Sequence, residues 1–280
     1  MRKVFLGLAI TSAFALAACG SHVENKDESM EQANQAALTS YVWHLERVSQ
    51  PKSNQTADNA ANQPSADDAQ VLPAAPAEMR PFDISFDDDR VSVQGLCNNL
   101  SGSYTVSGEH INISQMMSTR KMCSDDALMA LENYVGQVLP AAEQWKLQGV
   151  DAAQLAQSTP TLELRFSNGM RWQLEGTATD ETKYGQEPVI EFLQIDPQVQ
   201  QCTDGSGECL KVRQLEYDDR GIHTETGPWQ QIQRDQLEGY ELDPNYSSVI
   251  RVKRFMQSGA DGESRPVYVH DMTVETQSIE

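Results

Sequence analysis

The side chains in this sequence best suited to chemistry are five cysteines, Cys19, Cys97, Cys123, Cys202 and Cys209, and five histidines, His22, His44, His110, His223 and His270. A thiol can act as nucleophile, metal ligand, acyl acceptor or half of a disulfide, and as a nucleophile it needs a neighbouring base or cation to lower its pKa. Cys97 sits in Gly95-Leu96-Cys97-Asn98-Asn99 with no basic neighbour; Arg120 and Lys121 precede Cys123, but Asp125 and Asp126 follow it and oppose a thiolate. No two histidines stand at HExxH or HxH spacing, and there is no GxSxG elbow and no Walker or dinucleotide glycine pattern. Asp87-Asp88-Asp89 lacks the alternating ligands, glycine and distal glutamate of an EF-hand loop, so it reads as a solvated turn. The sequence therefore predicts no catalytic residues, no metal site and no cofactor: a protein that is not an enzyme.

The first thiol has a different use. Arg2 and Lys3 precede an apolar run from Val4 to Leu16 that ends in Leu16-Ala17-Ala18-Cys19. The run is too short to cross about 30 Å of hydrocarbon and reads as a secretory signal over residues 1–18. Small residues before a cysteine resemble the bacterial lipobox, which implies cleavage before Cys19 and acylation of that residue. Two or more acyl chains, at about 0.8 kcal/mol per buried methylene, make a lasting anchor. Gly20, rather than Asp, follows the cysteine, which by resemblance to the sorting of such lipoproteins favours the outer membrane. The expected location is the cell envelope, on an outer-membrane lipid anchor facing the periplasm.

The chain carries 41 acidic and 21 basic side chains, a formal net charge of -20, and loss of Arg2 and Lys3 with the signal makes it -22. Such a surface repels nucleic acid, so no nucleic-acid partner is expected.

Four thiols remain, in an oxidising compartment, and the elements around them decide how they pair. Residues 19–38 are polar and read as the lipidated cysteine and a flexible tether. From residue 39 to 178, apolar residues alternate: Tyr41 to Val48, then Phe82, Ile84 and Phe86, Val91 and Val93, Tyr104 to Val106, and Ile111 to Ile113. This meander is interrupted by a polar stretch over about 50–78 that cannot bury enough apolar surface to order itself. Ser124, Asp125 and Asp126 look like a helix start, and Leu128, Leu131, Val135, Val138 and Leu139 recur at helical spacing until Pro140. Strands are expected again at Trp145 to Val150, Thr161 to Phe166 and Met170 to Leu174, the last two joined by an Asn168-Gly169 turn.

After Gly176 to Gln186, a second β-rich unit over 187–280 shows alternation at Val189 to Ile195, Cys209 to Tyr217, Val249 to Phe255 and Val267 to Val274, with a short helix expected at Trp229 to Leu237. Three pairings of four cysteines exist. This organisation puts two in each unit and favours Cys97 with Cys123 and Cys202 with Cys209. Loop-closure entropy gives about 3.5 kcal/mol for the first bridge and about 2.5 kcal/mol for the second.

Beyond spacing, several motifs match a known family. Trp43-His44-Leu45, then Gly95-Leu96-Cys97-Asn98-Asn99 with Gly102 and Tyr104, then Thr119-Arg120-Lys121-Met122-Cys123 before a helix resemble the META domain, from about Ser40 to Thr177. The polar insertion and extra length around Asp151 to Thr159 depart from its compact pattern. Residues 187–280 resemble a second, uncharacterised domain that often follows it, through Cys202, Cys209 to Arg213, Trp229, Glu238-Gly239-Tyr240 and Arg251 to Arg254. The resemblance implies a mainly β fold with α+β character: a small antiparallel β-barrel or curved sheet with one packed helix, followed by a second small β-rich domain. It also implies roles in heat-shock response and antibiotic tolerance without an established enzymatic activity. Asn98 and Asn99 are read as turn residues. The expected function is a non-enzymatic envelope lipoprotein with an envelope protein as partner. One alternative is a binding module for a small apolar ligand held in the barrel. Another is inhibition of an extracellular hydrolase by a disulfide-braced loop.

Overall fold

The computed structural model describes residues 35–50, 72–76, 79–151, 153–259 and 262–279. The signal segment 1–18, Cys19, most of the expected tether and residues 51–71 of the expected insertion lie outside the described residues.

Nine strands form the first sheet: β1 (Tyr41–Ser49), β2 (Asp83–Asp87), β3 (Arg90–Gln94), β4 (Leu100–Ser107), β5 (His110–Ile113), β6 (Met117–Ser118), β7 (Ala142–Gln148), β8 (Thr161–Phe166) and β9 (Arg171–Ala178). Their order is β3-β2-β1-β9-β8-β7-β5-β4-β6, every pairing is antiparallel, and β3 also pairs with β4. That last ladder closes eight strands into a barrel, with β6 hanging from β4. Alternate residues point inward, as a strand period of two requires: Trp43, Ile84, Phe86, Val91, Val93, Leu162, Leu164, Trp172 and Leu174 are all buried.

The barrel is filled and stoppered at both mouths. At one mouth lies the predicted helix, Asp126–Val138, whose Leu131, Tyr134, Val135 and Val138 are buried; Tyr134 and Trp172 have ring centroids 6.3 Å apart. Its cap is Asp125 and not Ser124: the Asp125 carboxylate accepts the Leu128 N–H at 3.0 Å. Pro140 then sits in a 3-10 turn, Leu139–Ala141. At the other mouth, helical residues 35–39 bury Ala37 and Leu38, and the carbonyl of Leu38 accepts the Trp43 indole N–H at 2.9 Å. The expected tether therefore gives way to packed structure before residue 38. Likewise Leu72 and Ala75, inside the stretch expected to be disordered, pack against the barrel core. Both lie in the short apolar run Leu72 to Pro76, and the barrel core supplies its partner.

The second sheet consists of β10 (Val189–Gln201), β11 (Glu208–Tyr217), β12 (His223–Thr226), β13 (Gln230–Gln233), β14 (Leu237–Glu238), β15 (Tyr246–Ser258) and β16 (Ser264–Ser278), ordered β12-β11-β10-β15-β16-β14 with β13 on β11. One face carries its own core, Leu193, Ile195, Leu210, Val212, Ile250, Val252 and Tyr268, covered by Ile232, Leu237, Tyr240 and Leu242. The helix expected at Trp229 to Leu237 is instead strand β13, a 3-10 turn at Arg234–Gln236, and β14. Pairing of Ile232 with Leu210 explains the difference: tertiary pairing overrides a weak local preference. The stretch from Gly176 to Gln186 is also ordered, because β9 runs on to Ala178 and Asp180–Tyr184 form a short helix ended by Gly185 at φ 65°.

Candidate interaction site

All four cysteines among the described residues stand in pairs. The Cα atoms of Cys97 and Cys123 lie 5.9 Å apart and those of Cys202 and Cys209 lie 5.0 Å apart, both with sulfurs at bonding distance. The first pair fastens the loop after β3 to the segment before the long helix; the second closes the β10–β11 turn. No cluster of three or more His, Cys, Asp or Glu side chains able to hold a metal occurs among the described residues.

Beside the first disulfide lies a polar clasp that the sequence reading missed. The buried Asn98 does not bond its own turn. Its Nδ2 donates to the Lys121 carbonyl at 3.0 Å and to the Glu132 carboxylate at 3.1 and 3.2 Å. Its Oδ1 accepts from the Lys121 N–H at 2.7 Å and from Thr119 Oγ1 at 3.0 Å. Glu132, on the long helix, also accepts from the Asn98 N–H and from Ser118 Oγ, each at 2.7 Å. One asparagine and one helical glutamate thus join three segments, and in the stretch from β6 to the turn before the long helix Met117 and Met122 are 72% and 88% accessible. The cue in the sequence is an asparagine beside a cysteine whose partner lies far along the chain.

His44 has neighbours the sequence did not reveal. Its Nδ1 lies 2.6 Å from Asp83 Oδ1 and its Nε2 lies 3.0 Å from Thr177 Oγ1, an acid–imidazole–hydroxyl chain across β2, β1 and β9. The same constellation, with a pair of free N–H donors, performs acyl transfer in hydrolases. Those donors are engaged here: the Gly176 N–H goes to the Pro160 carbonyl at 2.8 Å and the Thr179 N–H to the Ser40 carbonyl at 2.9 Å. The three residues also lie on the convex outer surface of the barrel, open to water, which fits a cross-strand brace.

A third cluster links the barrel to the second sheet through the short helix Asp180–Tyr184. Lys253 on β15 contacts Asp180 at 3.3 Å and Glu181 at 2.9 Å, and Lys183 and Tyr184 both bond Glu238 on β14, at 2.6 and 2.8 Å. The Tyr184 ring stacks on Phe255 with centroids 4.6 Å apart. Gln186 forms a matched pair of bonds with the Met256 backbone. Burial works against the charges of Glu181 and Glu238, but their lysine partners outweigh it and hold both carboxyls below the usual range. Burial opposes the charges of Lys253 and Lys183 as well; the facing acids outweigh it and raise both amines.

The barrel interior, where a small apolar ligand would sit, is occupied by side chains: Trp172 alone meets Phe166 at 4.9 Å and Phe82 at 5.6 Å between centroids. A groove of about 520 Å³ lies outside, at the seam where β5 and β7 pair only at His110 and Gln144. Buried Ile111, Ala141 and Ala142 form its floor, and His110, Asn112 and Glu143 line its sides.

Comparison with known proteins finds no match among curated sequences. Among solved structures, the NMR structure of a protein from Burkholderia xenovorans aligns over 61% of this chain and 99% of its own, with 16% identity and a TM-score of 0.35. The family comparison is informative: residues 36–166 match the META domain, and β9, which completes the barrel beyond them, pairs with β1 along eight residues. The match to the META domain spans residues 36–166 and takes in the Cys97 and Asn98 loop, the long helix and barrel strands β1 to β8.

Proposed function

We propose that this chain is a non-enzymatic lipoprotein of the bacterial envelope, held by acylated Cys19 at the outer membrane and facing the periplasm, where it binds envelope proteins during heat or antibiotic stress. The observation that supports it most directly is the filled, doubly stoppered barrel, which leaves recognition to the outer surfaces. Paired cysteines suit an oxidising compartment. The stress role follows from the resemblance of the Cys97 and Thr119–Cys123 motifs to the META family.

The anchoring is tested by fractionating cells that make the wild type or Cys19→Ala, with labelled palmitate and mass analysis of the amino end. Wild type is expected in the outer-membrane fraction with label, and the variant soluble or unprocessed without it; an unacylated amino end on wild type from its host overturns the anchor. The stress role is tested by deleting the gene and scoring survival after heat. Equal survival with and without the gene overturns that part.

A further inference from the structure

We infer that Arg213 and Trp229, on the open face of the second sheet, form a receptor for a carboxylate on an acidic segment of a partner protein. The inference deepens the proposed reading of the chain as a binding protein by naming a site and the chemistry of its partner.

The central strands β10, β11 and β15 carry five basic residues. Four of them face carboxylates: Lys211 lies 3.7 Å from Asp196, Lys253 2.9 Å from Glu181, Arg254 2.6 Å from Glu191, and Arg251 is paired with Asp271. Arg213 is the exception. Its Nε donates to the amide oxygen of Gln194, directly opposite on β10, at 2.7 Å, and its guanidinium carbon stands 4.6 Å from the centre of the Trp229 ring. Both supports are uncharged, so the guanidinium is oriented without being neutralised. No carboxylate of the described residues comes within 4.0 Å of it.

Lys211 Nζ lies 4.9 Å from the same ring, so two cations flank one indole that is 38% accessible. With Nε engaged, the two terminal nitrogens of Arg213 remain as a planar fork of the kind that binds carboxylate bidentately. Phe192 and Tyr217, with ring centroids 4.8 Å apart, continue the same face and supply apolar contact beside the charge. Arginine and tryptophan in one spot are the residues that most often dominate protein–protein binding energy.

The acidic surface selects the source of the carboxylate. Anionic bilayers and nucleic acids present dense negative charge that the net -20 of the chain repels, whereas one carboxylate on a protein segment meets the unneutralised Arg213 within a Debye length of about 8 Å. The partner that fits is an extended acidic segment alternating Asp or Glu with apolar residues, which would lay its acid on Arg213 and its apolar groups on Phe192 and Tyr217.

Trp229 is its own reporter, because Trp43, Trp145 and Trp172, the remaining tryptophans, are at most 4% accessible. In the mature full-length chain, the ratio of iodide to caesium quenching of the exposed emission is expected to exceed that of free N-acetyltryptophanamide at equal ionic strength, despite the negative net charge. Arg213→Gln should remove that preference and Trp229→Phe the quenchable emission itself, with circular dichroism confirming that each variant folds. A synthetic peptide alternating Glu with Val and Phe should then bind about tenfold more weakly to Arg213→Gln and Arg213→Lys, and unchanged to Arg220→Gln, whose arginine already pairs with Asp218 at 2.9 Å. An iodide-to-caesium ratio no higher than that of N-acetyltryptophanamide overturns the anion site, and equal peptide affinity for wild type and Arg213→Gln overturns the carboxylate receptor. Arg213-dependent binding of phosphatidylglycerol vesicles without peptide binding, or Arg213-dependent self-association, overturns the protein partner. The acyl anchor is read by fractionation, so each idea can fail alone.

Discussion

Replacing Asn98 with alanine tests whether the polar clasp carries the weight that its geometry suggests. The substitution deletes donation to the Lys121 carbonyl and the Glu132 carboxylate and acceptance from Lys121 N–H and Thr119 Oγ1, at 2.7 to 3.2 Å. A neutral bond contributes about 1 kcal/mol and one to a charged group about 1.5–3 kcal/mol. The sum overstates the loss, because Glu132 keeps the Asn98 N–H and Ser118 Oγ at 2.7 Å and water reaches the exposed Thr119 and Lys121. About 2–3 kcal/mol remains, a fall in melting temperature of roughly 5–10 °C for a chain of this size.

Asn98→Asp separates packing from bonding. It nearly conserves volume but sets a second carboxylate against Glu132, so at neutral pH it should be less stable than Asn98→Ala, and the gap should narrow as acid lets the two carboxyls share a proton. The Cys97–Cys123 link joins the same segments and should mask part of the loss. In a Cys97→Ser, Cys123→Ser background the cost of Asn98→Ala should therefore rise by more than about 0.5 kcal/mol. Urea unfolding of the six combinations at pH 7 and at pH 4.5 measures all of this. The reasoning fails if Asn98→Ala lies within about 0.5 kcal/mol of wild type in the reduced background, or if Asp and Ala behave alike at both pH values.

Gly176→Ala places a Cβ 2.8 Å from the Trp43 ring and 2.9 Å from Pro160, both fixed in the packed end of the barrel. Overpacking of this kind should cost about 1–3 kcal/mol in calorimetry, whereas Gly136→Ala, on the long helix with Leu100 3.9 Å away as its nearest neighbour, should not destabilise. Cys202→Ser with Cys209→Ser should lower the stability of the second sheet by about 2.5 kcal/mol and leave the barrel transition in place, read by hydrogen exchange on the two sheets. For the inter-sheet cluster, Glu181 and Glu238 have depressed carboxyl pKa values, so their contribution is full above the unfolded carboxylate pKa and is lost as pH falls through the folded values. Lys253 and Lys183 are raised, so theirs is full below the unfolded amine pKa and is lost as pH rises through the folded values. Amide exchange at 180–186 should thus accelerate beyond its intrinsic pH dependence at both extremes, and Glu238→Gln should blunt the acid arm.

The barrel was legible because its signals are local. Phe82, Ile84 and Phe86 point inward because a strand alternates, and Asn168-Gly169 turns because Gly169 takes φ 81°. What escaped the sequence depends on partners far along the chain. Leu38 and Leu72 sit in short runs with no strand or helix period, and only the core shows what they cover. His44 meets Asp83 and Thr177 because β1 lies between β2 and β9, a neighbour order that periodicity does not encode. Asn98 looked like a turn residue because asparagine often is one; its reach to Glu132 spans 34 residues. Arg213 was visible as a basic residue on a strand, but its want of an acid appears only once every neighbouring cation has found one.

That contrast bears on where recognition can reside. A barrel whose interior holds Trp43, Trp172, Tyr41 and Phe82 at 1% accessibility or less offers partners its rims and outer wall, where the helix and residues 35–39 close both mouths. The second sheet covers one face with Ile232, Leu237, Tyr240 and Leu242, and its other face carries Arg213, Lys211, Phe192 and Tyr217 beside Trp229. On that other face the short helix supplies acids to Lys253, so β15 is occupied by the chain itself while Arg213 on β11 is not. An oriented, unneutralised arginine beside an exposed tryptophan places a local attraction for a carboxylate on the part of the molecule that follows the residues matching the META domain.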